Sequence, residues 1–286
     1  MIPLQMIEAA ESLANAFPPR QTPVPEAGEP GARMGFFTDT SICIGCKACE
    51  VACKQWNQLP SDGFNFTGNS YDNTSMLSAT TWRHVAFKEQ IGEGGADRWL
   101  MMSDVCKHCE EAPCQQSCPT GAIIYNEFGD VYVQNDICNG CGYCISACPF
   151  GVLGRSHYDG HAHKCTLCYD RQKYGETPAC AKSCPTASIQ FGPVEELTER
   201  ARRRVEDLHA QGRTSAYLYG DAPNGDYSRL NSFFLLEDHP NEYNLPEQPR
   251  QPFAQMKRRY GWSILAGLAL TAVSALFLAQ ENKHAS

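Results

Sequence analysis

Asp136-Ile-Cys-Asn-Gly-Cys-Gly-Tyr-Cys-Ile-Ser-Ala-Cys-Pro149 decides the reading of this chain. It sets Cys138, Cys141, Cys144 and Cys148 in the spacing C-x2-C-x2-C-x3-C-P. Three cysteines in so short a loop wrap three corners of a small cube. The fourth lies one turn further on, where the chain enters a helix, and points away. The proline has no N–H to donate and stops the helix or turns the chain. The spacing recurs imperfectly three times: Cys43, Cys46, Cys49 and Cys53 without the proline; Cys106, Cys109, Cys114 and Cys118-Pro119 with a longer middle gap; Cys165, Cys168, Cys180 and Cys184-Pro185 with a loop before the third cysteine. These runs hold all 16 cysteines.

The spacing is that of the bacterial-type ferredoxin run, whose first three thiolates hold one [4Fe–4S] cube and whose fourth ligates another. Disulfides suit short secreted chains, and this one has 286 residues. Zinc favours separated C-x2-C pairs, and triplets such as Cys43/Cys46/Cys49 leave it a surplus ligand. Four runs of four ligands therefore predict four [4Fe–4S] clusters with no cysteine spare. A net charge of −8 with no basic tract argues against nucleic acid as a partner. No nucleophile–base pair or Gly-rich phosphate loop stands out.

Residues 1–34 read as an extended N-terminal arm, interrupted by Pro3, Pro18, Pro19, Pro23, Pro25 and Pro30, with one short amphipathic helix over 7–17. Glu8 and Glu11 break its apolar residues, and neither a basic n-region nor a twin arginine is visible, so no export signal is expected there. Two strands, 82–87 and 98–102, are expected to form a hairpin through the Gly92–Gly95 turn. Residues 121–125 and 131–133 read as strand, turn, strand, and 187–191 as a further short strand. Residues 193–210 carry helix signals: Pro193 in the first turn, Glu195 and Glu196 at the positive end, Gly212 beyond the end, and one apolar face of Leu197, Ala201, Val205 and Leu208. Residues 216–219 read as a strand, and the proline-marked stretch 221–255 as a tether laid over a surface.

Residues 260–280 carry no charge. The apolar run 262–279 is about 27 Å long as a helix at about 1.5 Å per residue, enough for a bilayer core. Tyr260 and Trp262 suit the interface, with Lys257, Arg258 and Arg259 flanking it. Ser263, Gly267, Thr271, Ala275 and Ala279 recur four apart, a stripe that admits a second membrane helix.

The repeats resemble the four-cluster ferredoxin subunits of the molybdopterin oxidoreductases. The segments Tyr71-Asp-Asn73, Leu77-Ser-Ala79, Trp82-Arg83, Cys138 to Phe150, Lys164-Cys-Thr-Leu-Cys168, Pro178-Ala-Cys180 and Asp238 to Pro246 narrow the likeness to the iron–sulfur (beta) subunit of membrane-bound formate dehydrogenase. No cysteine is replaced by tryptophan, as happens in nitrate reductase beta subunits. The resemblance implies an α+β fold of two pseudo-symmetric bacterial ferredoxin-like units over 35–192, a helix and surface tether over 193–255, and a single transmembrane helix within 256–286. It implies that runs one and four pair, as do two and three. One cube would then be held by Cys43, Cys46, Cys49 and Cys184, and the next by Cys53, Cys165, Cys168 and Cys180. Cys106, Cys109, Cys114 and Cys148 would hold a third, and Cys118, Cys138, Cys141 and Cys144 the fourth.

The implied role is electron transfer without a catalytic site. A large alpha subunit with a molybdenum or tungsten bis-pterin cofactor would oxidise formate, and a membrane cytochrome b gamma subunit would pass electrons to quinone in anaerobic respiration. The implied location is the bacterial inner membrane, single-pass, in contact with the lipid bilayer. Basic residues before the helix favour a cytoplasmic cluster domain by the positive-inside rule, which weakens for long domains. The family's habit of export with its alpha partner favours the periplasm. Other complexes, such as a hydrogenase or another molybdopterin reductase, use the same kind of wire, and a zinc-binding membrane scaffold is the non-redox alternative. Lys54, Lys107, Lys164 and Lys182 adjoin ligand cysteines and would raise potentials if buried, although solvation is the simpler reading for lysine. His108, His157, His161 and His163 are not needed as ligands, since cysteines fill every corner.

Overall fold

The computed structural model describes residues 32–63, 66, 68, 71, 74–92, 97–224, 227–253 and 256–284, with the side chains of 257–258 and 276–284 excepted. The arm expected over 1–34 lies outside the described residues up to residue 31, its short helix included, as do residues 93–95 of the hairpin turn. Met34 does not belong to an arm: it is fully buried and opens strand β1, Met34–Asp39.

β1 sits inside a four-stranded sheet, between Ile189–Pro193 (β8) on one side and Ser232–Leu236 (β10) on the other, with Tyr217–Tyr219 (β9) beyond β10. β1 runs antiparallel to β8 and parallel to β10, with Phe37 opposite Phe233. Alternate residues of a strand face opposite sides, and both sides are apolar here. Phe37, Phe233 and Leu235 pack with Leu197, Ala201 and Leu208 of helix Val194–Ala210. Phe36, Phe191, Phe234 and Leu236 face the cysteine-bearing core.

This corrects the reading of 221–255 as a surface tether. The stretch supplies β10, a strand buried at all five residues. A strand covered on both faces is a continuous apolar run and lacks the alternation that marks a half-exposed one. Ser232-Phe-Phe-Leu-Leu236 is such a run, and the surrounding prolines disguised it. The stretch also binds the second cysteine run directly: the Ser232 N–H donates to Lys107 O at 2.9 Å, and Cys109 forms a bridge with Leu230.

The sheet pairs the first and fourth runs because β1 leads into one and β8 leads out of the other. Helix Ala48–Trp56 of the first run packs on helix Ala179–Ser183 of the fourth, where Ser183 Oγ donates to Ala48 O at 3.3 Å. Helices Pro113–Gln116 and Tyr143–Ala147 pack together in the same way for the second and third runs. Between them lies the expected hairpin, β4 (Ile123–Tyr125) and β5 (Val131–Val133). The hairpin β2 (Arg83–Gln90) and β3 (Arg98–Val105) feeds the second run, and a small hairpin, β6 (Gly154–Arg155) with β7 (Ala162–His163), precedes the fourth. The strand expected from residue 187 starts at Ile189, because Ala187 adopts φ +54° in the turn after Cys184-Pro185.

Met256–His284 forms one continuous helix, and every side chain described between 259 and 275 is exposed. Among the described residues no helix is long and apolar enough to cross a membrane. The span expected over 260–280 runs into 276–280, whose side chains lie outside the described set.

Candidate functional site

Four copies of one backbone device shape the cysteine loops. The residue before the second cysteine of each run has positive φ: Gly45 at +64°, His108 at +43°, Gly140 at +69° and Leu167 at +55°. A left-handed residue inside a tight loop turns successive N–H groups to one side, which makes an anion-binding hollow of the type found at iron–sulfur sites. Glycine adopts this conformation freely, whereas histidine and leucine meet a steric cost. At two of the four positions the conformation is therefore imposed by the surrounding fold. Each run then enters a short helix, and at Cys148 and Cys184 the following proline forces extended backbone (ψ 113° and 112°) that ends it.

The folded chain gathers the thiols in fours. Cys43, Cys46, Cys49 and Cys184 line one cavity with Ser103, Thr186 and Ser188. The Cys53 thiol is pushed up by burial and then by Cys165, Cys180 and Cys168. Cys109 is raised by burial, by Cys106 and by Cys114 and Cys148, against a lowering contact from Tyr227. Cys144 is raised to about 11 by burial and by Cys138, Cys118 and Cys141. The groups also adjoin one another in line: Cys49 feels Cys180, Cys165 feels Cys106, and Cys114 feels Cys144. The inner two groups are buried apart from half-buried Cys148, whereas each outer group has one exposed cysteine, Cys46 or Cys141.

The donor set fits [4Fe–4S] groups. Thiolate ligands gain from hydrogen bonds to sulfur, and donors are in place. Ser103 Oγ lies 3.2 Å from Cys49 Sγ, and Tyr227 OH lies 3.1 Å from Cys109 Sγ. The Leu167 and Ala162 N–H groups reach Cys165 Sγ at 3.3 Å and Cys138 Sγ at 3.5 Å. Burial pushes the thiols of Cys49, Cys114 and Cys165 up to about 12. They become thiolates when a bound cation compensates, so loading releases protons.

Buried cations accompany the thiols, which corrects the expectation of solvated lysines at two of four positions. Lys107 is 1% exposed and Lys164 is 2% exposed. Lys107 Nζ is paired with Asp104, donates to Val105 O at 2.8 Å, and lies 5.0 Å from the Phe234 ring centre. Lys164 Nζ donates to Val131 O, and to Cys165 O at 2.9 Å. Burial works against its charge, but Cys106, Cys114, Cys165 and Asp130 together hold its pKa above the ordinary value. Lys54 instead pairs with Asp62 at 2.7 Å, and Lys182 is exposed. His108 is fully buried and held neutral by burial and by the charges of Lys164 and Arg83. His163 Nε2 meets Asp159 Oδ2 at 2.8 Å and His161 Nδ1 lies 4.0 Å from the same carboxylate. Sequence reasoning gave no role to Arg83, Tyr227 or Ser103, because each lies far in sequence from the thiols it meets. Only the Trp82-Arg83 pair stood out, and only as part of a likeness.

Two expected outcomes arise from this geometry. A Cβ at Gly140 would stand 2.2 Å from the Gly160 carbonyl oxygen, at a φ that alanine resists. Gly140→Ala should therefore remove one cluster, about four irons, read by metal analysis of the purified protein. Asp130 is fully buried; its Oδ2 accepts from Gln172 Nε2 at 2.7 Å and Asn126 Nδ2 at 3.2 Å, and burial pushes its carboxyl up to about 8. The folded chain thus keeps a proton that the unfolded chain releases near pH 4. Stability falls as pH rises from there through 8. Asp130→Asn should flatten the fall in melting temperature between pH 6 and 8, and an unchanged slope would assign it elsewhere.

Two families, each described as a 4Fe-4S dicluster domain, match this chain, one over residues 42–122 and the other over 97–194. The formate dehydrogenase iron-sulfur subunit of Haemophilus influenzae is 38% identical over 260 residues, which cover 91% of this chain and 82% of that one. The iron-sulfur subunit of the nitrate-inducible formate dehydrogenase of Escherichia coli is 40% identical over 233 residues, 80% of this chain and 78% of that one. One polypeptide of the anaerobic dimethyl sulfoxide reductase of Escherichia coli is 36% identical over 183 residues, 62% of this chain and 80% of that one.

Proposed function

We propose, since this protein belongs to the family of formate dehydrogenase iron–sulfur subunits, that it holds four [4Fe–4S] clusters and carries electrons from formate oxidation in a molybdopterin subunit to a membrane cytochrome b and quinone. It is a non-catalytic electron-transfer subunit of an oxidoreductase complex. The observation that carries the finer reading is the line of four thiol groups, buried in the middle and open at both ends. The ligand sets are Cys43/Cys46/Cys49/Cys184, Cys53/Cys165/Cys168/Cys180, Cys106/Cys109/Cys114/Cys148 and Cys118/Cys138/Cys141/Cys144.

When bound, the clusters supply one-electron relay at potentials set by charge, burial and hydrogen bonds to sulfur. The protein's own part is to hold each set and to insulate it. Tyr227, Ser103 and the Leu167 N–H hold sulfurs by hydrogen bonds, and the Phe36, Phe191 and Phe234 face excludes water. Exposed Ile44, two residues from Cys46, and exposed Tyr143, two residues from Cys141, would give each open end an apolar rim for a partner.

The helix Met256–His284 is proposed as the membrane anchor, supported by its length, its exposed Ile264, Leu265, Leu268 and Leu270, and the Ser263/Gly267/Thr271/Ala275 stripe. Retention in the membrane after alkaline carbonate extraction is the expected result, and release would contradict it. The cluster domain is proposed to lie on the periplasmic side, a reading that rests on the family's export with its alpha partner, and full protection from protease in intact spheroplasts would contradict it. Iron and acid-labile sulfide assays test the cofactor reading: about sixteen of each per chain are expected. A sulfide-free zinc protein would overturn it in favour of a scaffold. The likeness to a dimethyl sulfoxide reductase polypeptide favours one second reading, the same relay in another molybdopterin complex.

A further inference from the structure

Arg83 is the largest fully buried side chain among the described residues, 1% exposed at the start of β2. No carboxylate pairs with it among the described residues. Its Nη1 donates to Ser103 Oγ at 3.0 Å, and that same hydroxyl lies 3.2 Å from Cys49 Sγ. Its Cζ lies 4.7 Å from the centre of the Phe36 ring. Its Nε and Nη2 are buried without a partner. The thiols of Cys180, Cys49, Cys165 and Cys53 are its neighbours of opposite charge once they are ionised as cluster ligands.

Three of those thiols belong to the second proposed ligand set and one to the first. A buried charge with no counter-ion is costly, so the compensating anion is to be sought where the free N–H groups lie. A cube held by four thiolates is a net anion, and the more so after taking up an electron. Ser103 cannot compensate, since a hydroxyl carries no charge.

We propose that Arg83 is the shared fixed counter-charge of the first and second clusters, and that it raises the reduction potentials of those two above the values that sulfur ligation and burial alone would give. The proposal rests on the reading of four [4Fe–4S] clusters. A fixed cation favours the more negative, reduced form of each, and inside a protein that attraction is only weakly screened. Arg83 acts through the cluster ligands and is a positioning residue. Its guanidinium is always protonated, so the effect has no pH dependence of its own in the physiological range.

The test is an anaerobic redox titration followed by EPR on the full complex, in the wild type and in Arg83→Met, Arg83→Gln and Arg83→Lys, with iron and sulfide measured in each. Methionine fills the space without buried polar groups, since apolar replacement of buried charge is often tolerated. In either neutral variant two of the four signals should become harder to reduce. Their reduced-to-oxidised ratio at fixed poise should fall at least about tenfold, about 60 mV for a one-electron couple, while the other two hold. The lysine variant should move the same two signals by less than about threefold, about 30 mV.

Four unmoved potentials, or four that move together, overturn the proposal, as does a lysine variant that behaves like methionine. Loss of clusters from both neutral variants makes Arg83 a folding residue and also overturns it. Fewer than four clusters in the wild type would instead overturn the function on which the proposal stands.

Discussion

Cys165→Ala is expected to cut quinone reduction by formate more than about a hundredfold, beyond the 10–100-fold typical of losing an outer partner of a metal ligand. Turnover with an artificial acceptor that takes electrons at the catalytic subunit should persist. Cys165 is buried, and its thiol neighbours both Cys180 in its own group and Cys106 in the next. It therefore stands where the line of groups has no surface exit. Iron should fall from about sixteen to about twelve per chain. Native quinone reduction in a variant that lacks those irons would mean that electrons do not pass through the inner groups.

Removing iron is the second large effect. The thiols of Cys49, Cys53, Cys106, Cys109, Cys114, Cys144, Cys165 and Cys180 are part of the main buried core rather than an attachment to it. The pieces around them are short, and two-stranded hairpins such as β4–β5 do not stand alone in water. Domains of this size hold only about 5–15 kcal/mol of net stability, and metal binding at such sites is itself folding free energy. Anaerobic stripping with a chelator should lower the melting temperature by more than about 20 °C, at about 2–4 °C per kcal/mol, or abolish the cooperative transition. The layer of Phe37, Phe233, Leu197 and Leu208 is the part expected to retain structure longest. An apoprotein that melts with the loaded one would contradict this account.

Much of this was legible in the residues because cluster loops are local. A run such as Cys138 to Cys148 fixes its own spacing, and Gly140 and Gly142 announce the turns it needs. Helix Val194–Ala210 was legible from its apolar face and its acidic first turn. The positive φ at His108 and Leu167 was not, since neither side chain favours it and the surrounding fold imposes it. β10 was hidden because a strand buried on both faces carries no alternation. The burial of Lys107 and Lys164, and the meeting of Arg83 with two thiol groups, come from contacts between distant segments. No local pattern announces those.

Anaerobic EPR of the detergent-solubilised complex, before and after formate, tests the central claim most directly. The account predicts that formate reduces several [4Fe–4S] signals and that dithionite brings out four in all. Dithionite-reducible clusters that formate leaves oxidised would keep the relay but remove formate as its electron source. The absence of any [4Fe–4S] signal would contradict the relay itself.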